Sequence, residues 1–236
     1  MNNTDLIKSK FYKSILVNIY KILQAGIVYL SLIFKNKSEK LFVFYGGALK
    51  GDLGGPLVKV KRLNKFFPEN KLKFNLVYLL SNANYLYNHS FDEIRKNNIP
   101  IILNQNGVFT PDWYGENWKR KNSIMSYAYL NSDYVFWQSN FCKKMAEKYL
   151  GKRKGPGEVL FNAVDTVNTF FPNYEEIKRP FTFLITGKFG KDMFCRLENS
   201  ILGIKLARSN GLNCNLIIAG WMDRNLKIKI KELIKS

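Results

Sequence analysis

Short apolar runs alternate along the chain with longer stretches in which apolar residues recur at helical spacing. The apolar runs occupy residues 41–45, 74–80, 100–103, 134–137, 159–161, 181–186 and 216–220. Helical spacing follows at residues 56–67, 91–98, 141–150, 197–208 and 223–235. Runs of strand length that alternate with amphipathic helices build parallel sheets. The pattern therefore predicts an α/β chain with a parallel sheet.

The N-terminal segment, residues 14–34, is apolar and has about the length that spans a bilayer. Its polar residues are mostly three or four positions apart: Ser14, Asn18, Lys21, Gln24 and Ser31. That spacing places them on one stripe of a helix. A central lysine costs roughly 2.5–3.5 kcal/mol inside a bilayer, which disfavours a spanning helix. We expect an amphipathic helix in the plane of an anionic membrane surface, and a helix packed on the first domain is the alternative.

A glycine-rich loop, GGALKGDLGGP, follows the run at residues 41–45 and leads into a helix. Pro56 suits the first position of that helix. Glycines such as Gly54 and Gly55 allow backbone N–H groups to approach a phosphate or a sugar, and the helix N-terminus adds positive potential. The spacing is neither the dinucleotide-binding G-x-G-x-x-G nor a P-loop. The loop therefore predicts an anion or sugar site of another kind.

A long loop after residues 100–103, NQNGVFTPDWYGENW, combines amide and aromatic side chains. Carbohydrates are bound by aromatic rings against their apolar faces and by amides on their hydroxyls. Asn104, Asn106 and Trp113 are the candidates for binding a sugar acceptor. A surface loop packed by its own aromatic residues is the alternative.

The chain carries 37 Lys and Arg against 18 Asp and Glu, a formal charge of +19. A bias toward lysine accounts for part of this excess, and the remainder favours anionic partners such as nucleotide sugars or an acidic membrane surface. No nucleic-acid motif accompanies the charge, so we expect no nucleic-acid partner. The three cysteines have no metal-ligand spacing, so we expect no metal and a reducing, cytoplasmic location.

Two motifs carry a resemblance to a known family. VFWQSNFCKKM at residues 135–145 and VLFNAVDTVNTFFP at residues 159–172 resemble the end of the N-terminal domain in family 4 glycosyltransferases of the GT-B class. In that family the second motif reads N-G-V-D-x-x-x-F-x-P, and Ala163 stands here where the glycine is usual. The resemblance covers roughly residues 41–223.

The resemblance implies a domain organisation and a set of site residues. Residues 1–38 would form the amphipathic, membrane-associating N-terminal helix. Residues 39–172 would form a complete Rossmann-like, acceptor-side domain, and residues 173–236 the first part of a second, nucleotide-sugar-binding domain. The implied donor-binding residues are Gly54, Gly55, Gly187, Lys188 and Arg196. Cys195 occupies the place of a family lysine, and the acidic motif that follows in the family does not occur in this sequence.

By the same resemblance, the chain would be a glycosyltransferase or a fragment of one. It would move a sugar from a nucleotide-diphosphate donor to a cell-envelope glycan or a lipid-linked acceptor. The expected reaction retains configuration and uses no metal and no cofactor besides the donor substrate. The general base is not identified, and the 236-residue chain alone is expected to lack transferase activity. The alternative is a non-catalytic, membrane-associated sugar-binding or scaffolding protein derived from such an enzyme.

Overall fold

A computed structural model describes the backbone of residues 3–34, 40–52, 54–163, 180–190 and 193–235. The chain divides into two compact units, Met1–Ala163 and Val164–Ser236. The domain boundary predicted after Pro172 lies outside the described residues. The two units are referred to below as the first unit and the second unit.

The first unit contains a sheet of five parallel strands in sequential order. These are β1 (Val43–Phe44), β2 (Leu76–Leu80), β3 (Ile101–Gln105), β4 (Tyr134–Trp137) and β5 (Gly157–Val159). Its helices are α1 (Asn3–Ile33), α2 (Gly55–Phe66), α3 (Asn88–Lys96), α4 (Pro111–Tyr114), α5 (Trp118–Asn131) and α6 (Asn140–Leu150), with a 3-10 turn at Gly115–Asn117. The predicted α/β class and the parallel sheet are confirmed.

Helices cover both faces of this sheet. Val77 and Leu79 of β2 point to one face, where α1, α3, α5 and α6 supply the rest of the core. The neighbouring Leu80 points to the other face, where it meets Val60 of α2. The strands are therefore apolar on both sides, as parallel strands between two helical layers usually are.

The chain passes both edges of β1 on its way from β1 to β2. After α2 it first runs along the free edge of β1, where the backbone N–H of Asn70 donates to the Val43 carbonyl at 2.9 Å. It then crosses to the opposite edge and enters β2, where the backbone N–H of Leu76 donates to the Phe42 carbonyl at 3.1 Å. Successive carbonyls of a strand point to opposite sides, so β1 lies between these two segments. This is a topological switch point, and α/β proteins bind ligands outside the carboxyl ends of strands at such points.

Helix α1 packs along the rest of the first unit. A helix packed on the first domain was the alternative to a helix in the membrane plane. Of the predicted polar stripe, Gln24 and Ser31 are buried and Lys21 is half-buried against the unit. Ser14 and Asn18, nearer the N-terminus, are exposed. The stripe therefore faces the protein over its C-terminal half.

The second unit has the two strands and two helices that the pattern predicted for it. Strands β6 (Phe181–Phe189) and β7 (Cys214–Met222) are parallel neighbours, and α7 (Phe194–Ser209) and α8 (Arg224–Lys235) pack on one face of the pair. Within the described residues of this unit, the other face carries no helix, and Leu184 and Trp221 are exposed there.

The predicted bounds in the second unit were wrong. The strand expected at residues 181–186 continues to Phe189, and the helix expected from residue 197 begins at Phe194. Gly187 and Lys188 therefore lie within β6 and Arg196 within α7, rather than in the turn between them. The pairing with β7 continues through the extended part of β6, as far as Phe189 opposite Met222. Gly187 pairs there with Gly220 at a close backbone approach, where a side chain on Gly220 would collide with the Gly187 carbonyl.

Candidate functional site

A cleft of about 620 Å³ opens at the carboxyl edge of the five-stranded sheet. It lies beside the switch point, and residues that follow β2, β3, β4 and β5 each contribute to it. Its polar and glycine lining consists of Gly54, Gly55, Lys59, Arg62, Asn82, Asn106, Gln138 and Asn162. We call it the amide cleft, because most of its polar side chains are carboxamides.

One wall of the amide cleft is the N-terminal end of α2. Gly54 precedes the helix with a φ of +98°, a conformation that glycine adopts without strain, and no side chain caps the helix. Pro56 occupies the helix start as predicted. The unpaired N–H groups of a first helical turn carry positive potential, so this wall favours an anion.

Lys59 lies one turn further along α2, where it lines the cleft and contacts the residue beneath it. Its Nζ donates to Asn104 Oδ1 at 2.9 Å, and Asn104 is fully buried at the end of β3. Burial lowers the pKa of Lys59. Neither ion pair of the described residues, Lys61–Asp52 or Lys96–Glu93, involves Lys59. The amine therefore carries a charge that an incoming anion could neutralise.

Two carboxamides meet at the ends of β2 and β3. The side-chain Nδ2 of Asn106 donates to Asn82 Oδ1 at 2.9 Å, and the backbone N–H of Asn106 donates to Ser81 Oγ at 3.1 Å. The sheet register brings them together, because Leu80 and Asn104 are paired just before them. Each carboxamide has further donor and acceptor capacity, which suits the hydroxyl groups of a sugar.

Arg62 of α2 also lines the cleft. Its Nη1 donates to the Ala163 carbonyl at 3.4 Å, so α2 is joined to the segment that follows β5. Asn162, the first residue of the second family-like motif, lines the cleft next to this contact. The guanidinium is exposed and keeps donors for another partner.

Of the residues predicted in the first unit, Gly54, Gly55 and Asn106 line the amide cleft together. Asn104 lies beneath it, where Lys59 contacts it. The backbone of Trp113 lies in α4, but its side chain lies outside the described residues.

Lys59, Arg62 and Asn82 line the cleft but were not predicted from the sequence. Asn82 follows a predicted strand at the edge where ligands bind, and that position could have identified it. Lys59 and Arg62 lie in the basic stretch VKVKRL, and the sequence does not distinguish them from the neighbouring basic residue.

The predicted donor residues of the second unit are exposed. Lys188 Nζ lies 5.4 Å from the centroid of the Trp221 ring, its register neighbour on β7. Arg196 is in the first turn of α7, and its carbonyl accepts from Ser200 Oγ at 2.9 Å. A cation over an aromatic ring can bind an anion on its open side.

The described residues contain no group of three His, Cys, Asp or Glu side chains that could hold a metal ion. The chain matches no protein-family description, and no curated protein is significantly similar to it. An α/β fold hosts many unrelated activities, so the function has to be argued from the cleft itself.

Proposed function

We propose that the chain is a GT-B-type glycosyltransferase, or part of one, that uses a nucleotide-diphosphate sugar as donor. The observation that carries the proposal is the amide cleft, where carboxamides from successive strand ends face two cations and a helix N-terminus. Cations and helix ends suit phosphates, whereas carboxamides suit sugar hydroxyls. A nucleotide sugar and a glycan acceptor together present both kinds of group.

The basic end of the cleft suits the donor diphosphate. Lys59 is fixed by Asn104, and Arg62 is fixed by the Ala163 carbonyl, so both cations are positioned before a ligand arrives. When the bond between the sugar and the diphosphate breaks, negative charge develops on the departing diphosphate. Prepositioned cations stabilise that charge at little reorganisation cost. Through the resemblance, Lys188 and Arg196 stay proposed diphosphate-binding residues of the second unit.

The carboxamide end suits the sugars. The Asn82–Asn106 pair is fixed by its own hydrogen bond and by Ser81, so its remaining donors and acceptors have defined directions. An acceptor hydroxyl held there would form a bond to the transferred sugar as the bond to the diphosphate breaks, and its proton would pass to the departing diphosphate. Transfer with retention of configuration and without a metal remains part of the proposal through the resemblance.

A second candidate is a non-catalytic sugar-binding protein. Among the described residues, the polar lining of the cleft is made of amides, a lysine and an arginine, with no carboxylate or imidazole. Amides bind hydroxyls but do not accept protons at neutral pH. Binding of glycans without binding of a nucleotide sugar is the outcome that would favour this candidate.

The test is an assay of the full chain with a panel of uridine- and guanosine-diphosphate sugars. Calorimetry measures binding, and chromatography measures release of the nucleoside diphosphate in the presence of glycan acceptors. The proposal predicts binding of at least one donor, and acceptor-dependent release would correct the expectation that this chain alone lacks transferase activity. Binding of glycans without binding of any donor favours the sugar-binding candidate, and the absence of both kinds of binding contradicts both.

A further inference from the structure

The two faces of α1 are reversed with respect to an ordinary surface helix. Its buried positions include the polar Gln24 and Ser31 beside Val28, whereas its exposed face is apolar. That face includes Leu16, Ile19, Ile22, Leu23, Leu30 and Ile33. A soluble surface helix normally turns its apolar stripe inward. A contiguous exposed apolar face of this kind indicates a surface that meets another apolar phase.

Polar contacts hold α1 in this orientation. Tyr20 Oη donates to the Gly47 carbonyl at 2.8 Å, and the Tyr20 ring packs edge-on against Tyr85 at 5.1 Å. The side chain of Gln24 fills the space that a side chain on Gly47 would need. The helix is thus fastened along the first unit by the face opposite its apolar residues.

By length and composition, Ser14–Ile33 could cross a membrane, with a mean hydropathy of 1.6. The packing argues for a different arrangement. A helix fastened to a folded unit along one face can offer only the other face to lipid, and it then lies in the membrane plane.

A groove of about 240 Å³ lies between α1, α5 and the loop after β2. Lys21 and Lys121 both line it, and no ion pair of the described residues involves either lysine. Burial, and then the charge of Lys121, lowers the pKa of Lys21. Two cations that share a groove without a carboxylate are stabilised by an anion between them.

We propose that α1 docks the chain on an anionic bilayer, with its apolar face at the boundary between headgroups and acyl chains and a lipid phosphate between Lys21 and Lys121. The groove lies on the side of α1 that faces the first unit, away from the apolar face. In a helix that lies in the membrane plane, basic residues of the polar face meet the headgroup phosphates while the apolar face enters the acyl boundary. The formal charge of +19 complements an anionic surface. A second copy of the chain would instead bring the same large positive charge against it.

The groove and the amide cleft share Asn82. A lipid whose phosphate lies between the two lysines would therefore extend its attached sugar toward the cleft. This step identifies the acceptor as a lipid-linked sugar and rests on the proposed function. Membrane docking itself does not, and it is measured without any donor.

The first experiment sediments the full chain with phosphatidylcholine vesicles that do or do not contain phosphatidylglycerol. We expect binding to the anionic vesicles, weakened by salt. Ile19→Asp with Leu23→Asp should lower the partition coefficient at least about a hundredfold, because two apolar contacts are lost. Leu202→Asp with Leu206→Asp, an equally spaced exposed pair on α7, is the control and should stay near wild type. Equal loss in both pairs, or none, would overturn the proposal.

The second experiment tests the lysines. Lys21→Gln with Lys121→Gln should lower partitioning about thirtyfold, the effect expected for two basic residues at an anionic surface. Lys144→Gln with Lys227→Gln removes the same charge from exposed sites and should have a smaller effect. Inorganic phosphate at millimolar concentration should not displace the chain, and displacement would identify a free-anion site instead. Retention through carbonate extraction, or a dimer broken by the Ile19 and Leu23 changes, would also overturn docking.

Discussion

Lys59 shows how one side chain acquires a binding role from its surroundings. It lies in a basic stretch that resembles any solvated helix face, yet its amine reaches a buried carboxamide at 2.9 Å. The contact fixes the amine without neutralising it, because Asn104 is uncharged. A cation that is fixed, partly desolvated and unpaired with a carboxylate binds anions better than a free surface lysine does. The proposed diphosphate site depends on this difference.

The second unit's candidates are tested by Lys188→Ala with Arg196→Ala. If both cations contact the donor diphosphate, each lost charge-assisted bond should cost roughly 1.5–3 kcal/mol of binding free energy. Calorimetric titration with a nucleoside diphosphate measures the change. Lys227→Ala with Lys231→Ala, on α8 of the same unit, removes the same charge as a control. Binding equal to that of wild type in the Lys188 and Arg196 variant would remove these residues from the site.

Tyr78 gives a prediction about alkaline stability. Burial, and then the nearby Tyr45, raises the pKa of Tyr78 from 10.0 to about 12. The folded state thus keeps this phenol neutral after the unfolded chain has begun to ionise. The associated stability is complete below pH 10, falls as the pH rises toward 12, and amounts to at most about 2–3 kcal/mol.

Tyr78→Phe should therefore flatten the loss of unfolding free energy between pH 10 and 12. Urea unfolding at a series of pH values measures it, with the difference between variant and wild type at pH 7 as the internal reference. A variant that loses stability above pH 10 as steeply as wild type would show that Tyr78 does not titrate differently in the two states.

At the scale of elements, strand ends and helix starts place the cleft residues. Helix α6 begins directly after β4 because Ser139 caps it, its Oγ accepting from the Cys142 amide at 3.0 Å. This cap immediately follows Gln138, which lines the amide cleft. The turn that starts the helix therefore also positions a candidate ligand.

Ser139→Ala should lower the free energy of unfolding of the first unit by about 1 kcal/mol, because the helix loses its cap. Ser126→Ala is a matched control, since Ser126 Oγ only donates to a carbonyl inside α5. Urea unfolding followed by circular dichroism compares them. Equal effects of the two changes would mean that the cap does not stabilise α6.

The sequence predicted the elements better than their limits. Apolar runs and N-cap signals identified β4 and α6 to within a residue, because both signals come from residues that are neighbours in the sequence. The limit of β6 depends on its pairing with β7, which continues as far as Phe189 and Met222 and is a distant contact. The amide cleft was predicted only in part for the same reason. Gly54, Gly55 and Asn106 carried visible signals, whereas Lys59 depends on a neighbour far along the chain.

At the scale of the whole molecule, the two units have separate cores. Leu103 lies in the core of the first unit and Leu197 in that of the second, and both are fully buried. The second unit is smaller and leaves one strand face exposed among its described residues. Smaller units bury a smaller fraction of their surface and are less stable.

We therefore expect two transitions in urea, with the second unit unfolding first. Leu197→Ala should shift only the earlier transition and Leu103→Ala only the later one, each by about 2–5 kcal/mol. Tryptophan fluorescence can follow both, since Trp221 reports the second unit and Trp137 the first. A single transition that both substitutions shift together would contradict independent units.

Calorimetric titration of cleft variants measures whether the amide cleft binds a nucleotide-diphosphate sugar, as proposed. Lys59→Gln with Arg62→Gln should weaken binding of the donor by at least about tenfold, because two charge-assisted contacts are lost. Lys65→Gln with Lys71→Gln removes the same charge from exposed sites nearby and should bind nearly as wild type does. If both double variants bind the donor as tightly as the unchanged chain does, or if the unchanged chain does not bind it, the proposed donor site in the amide cleft is contradicted.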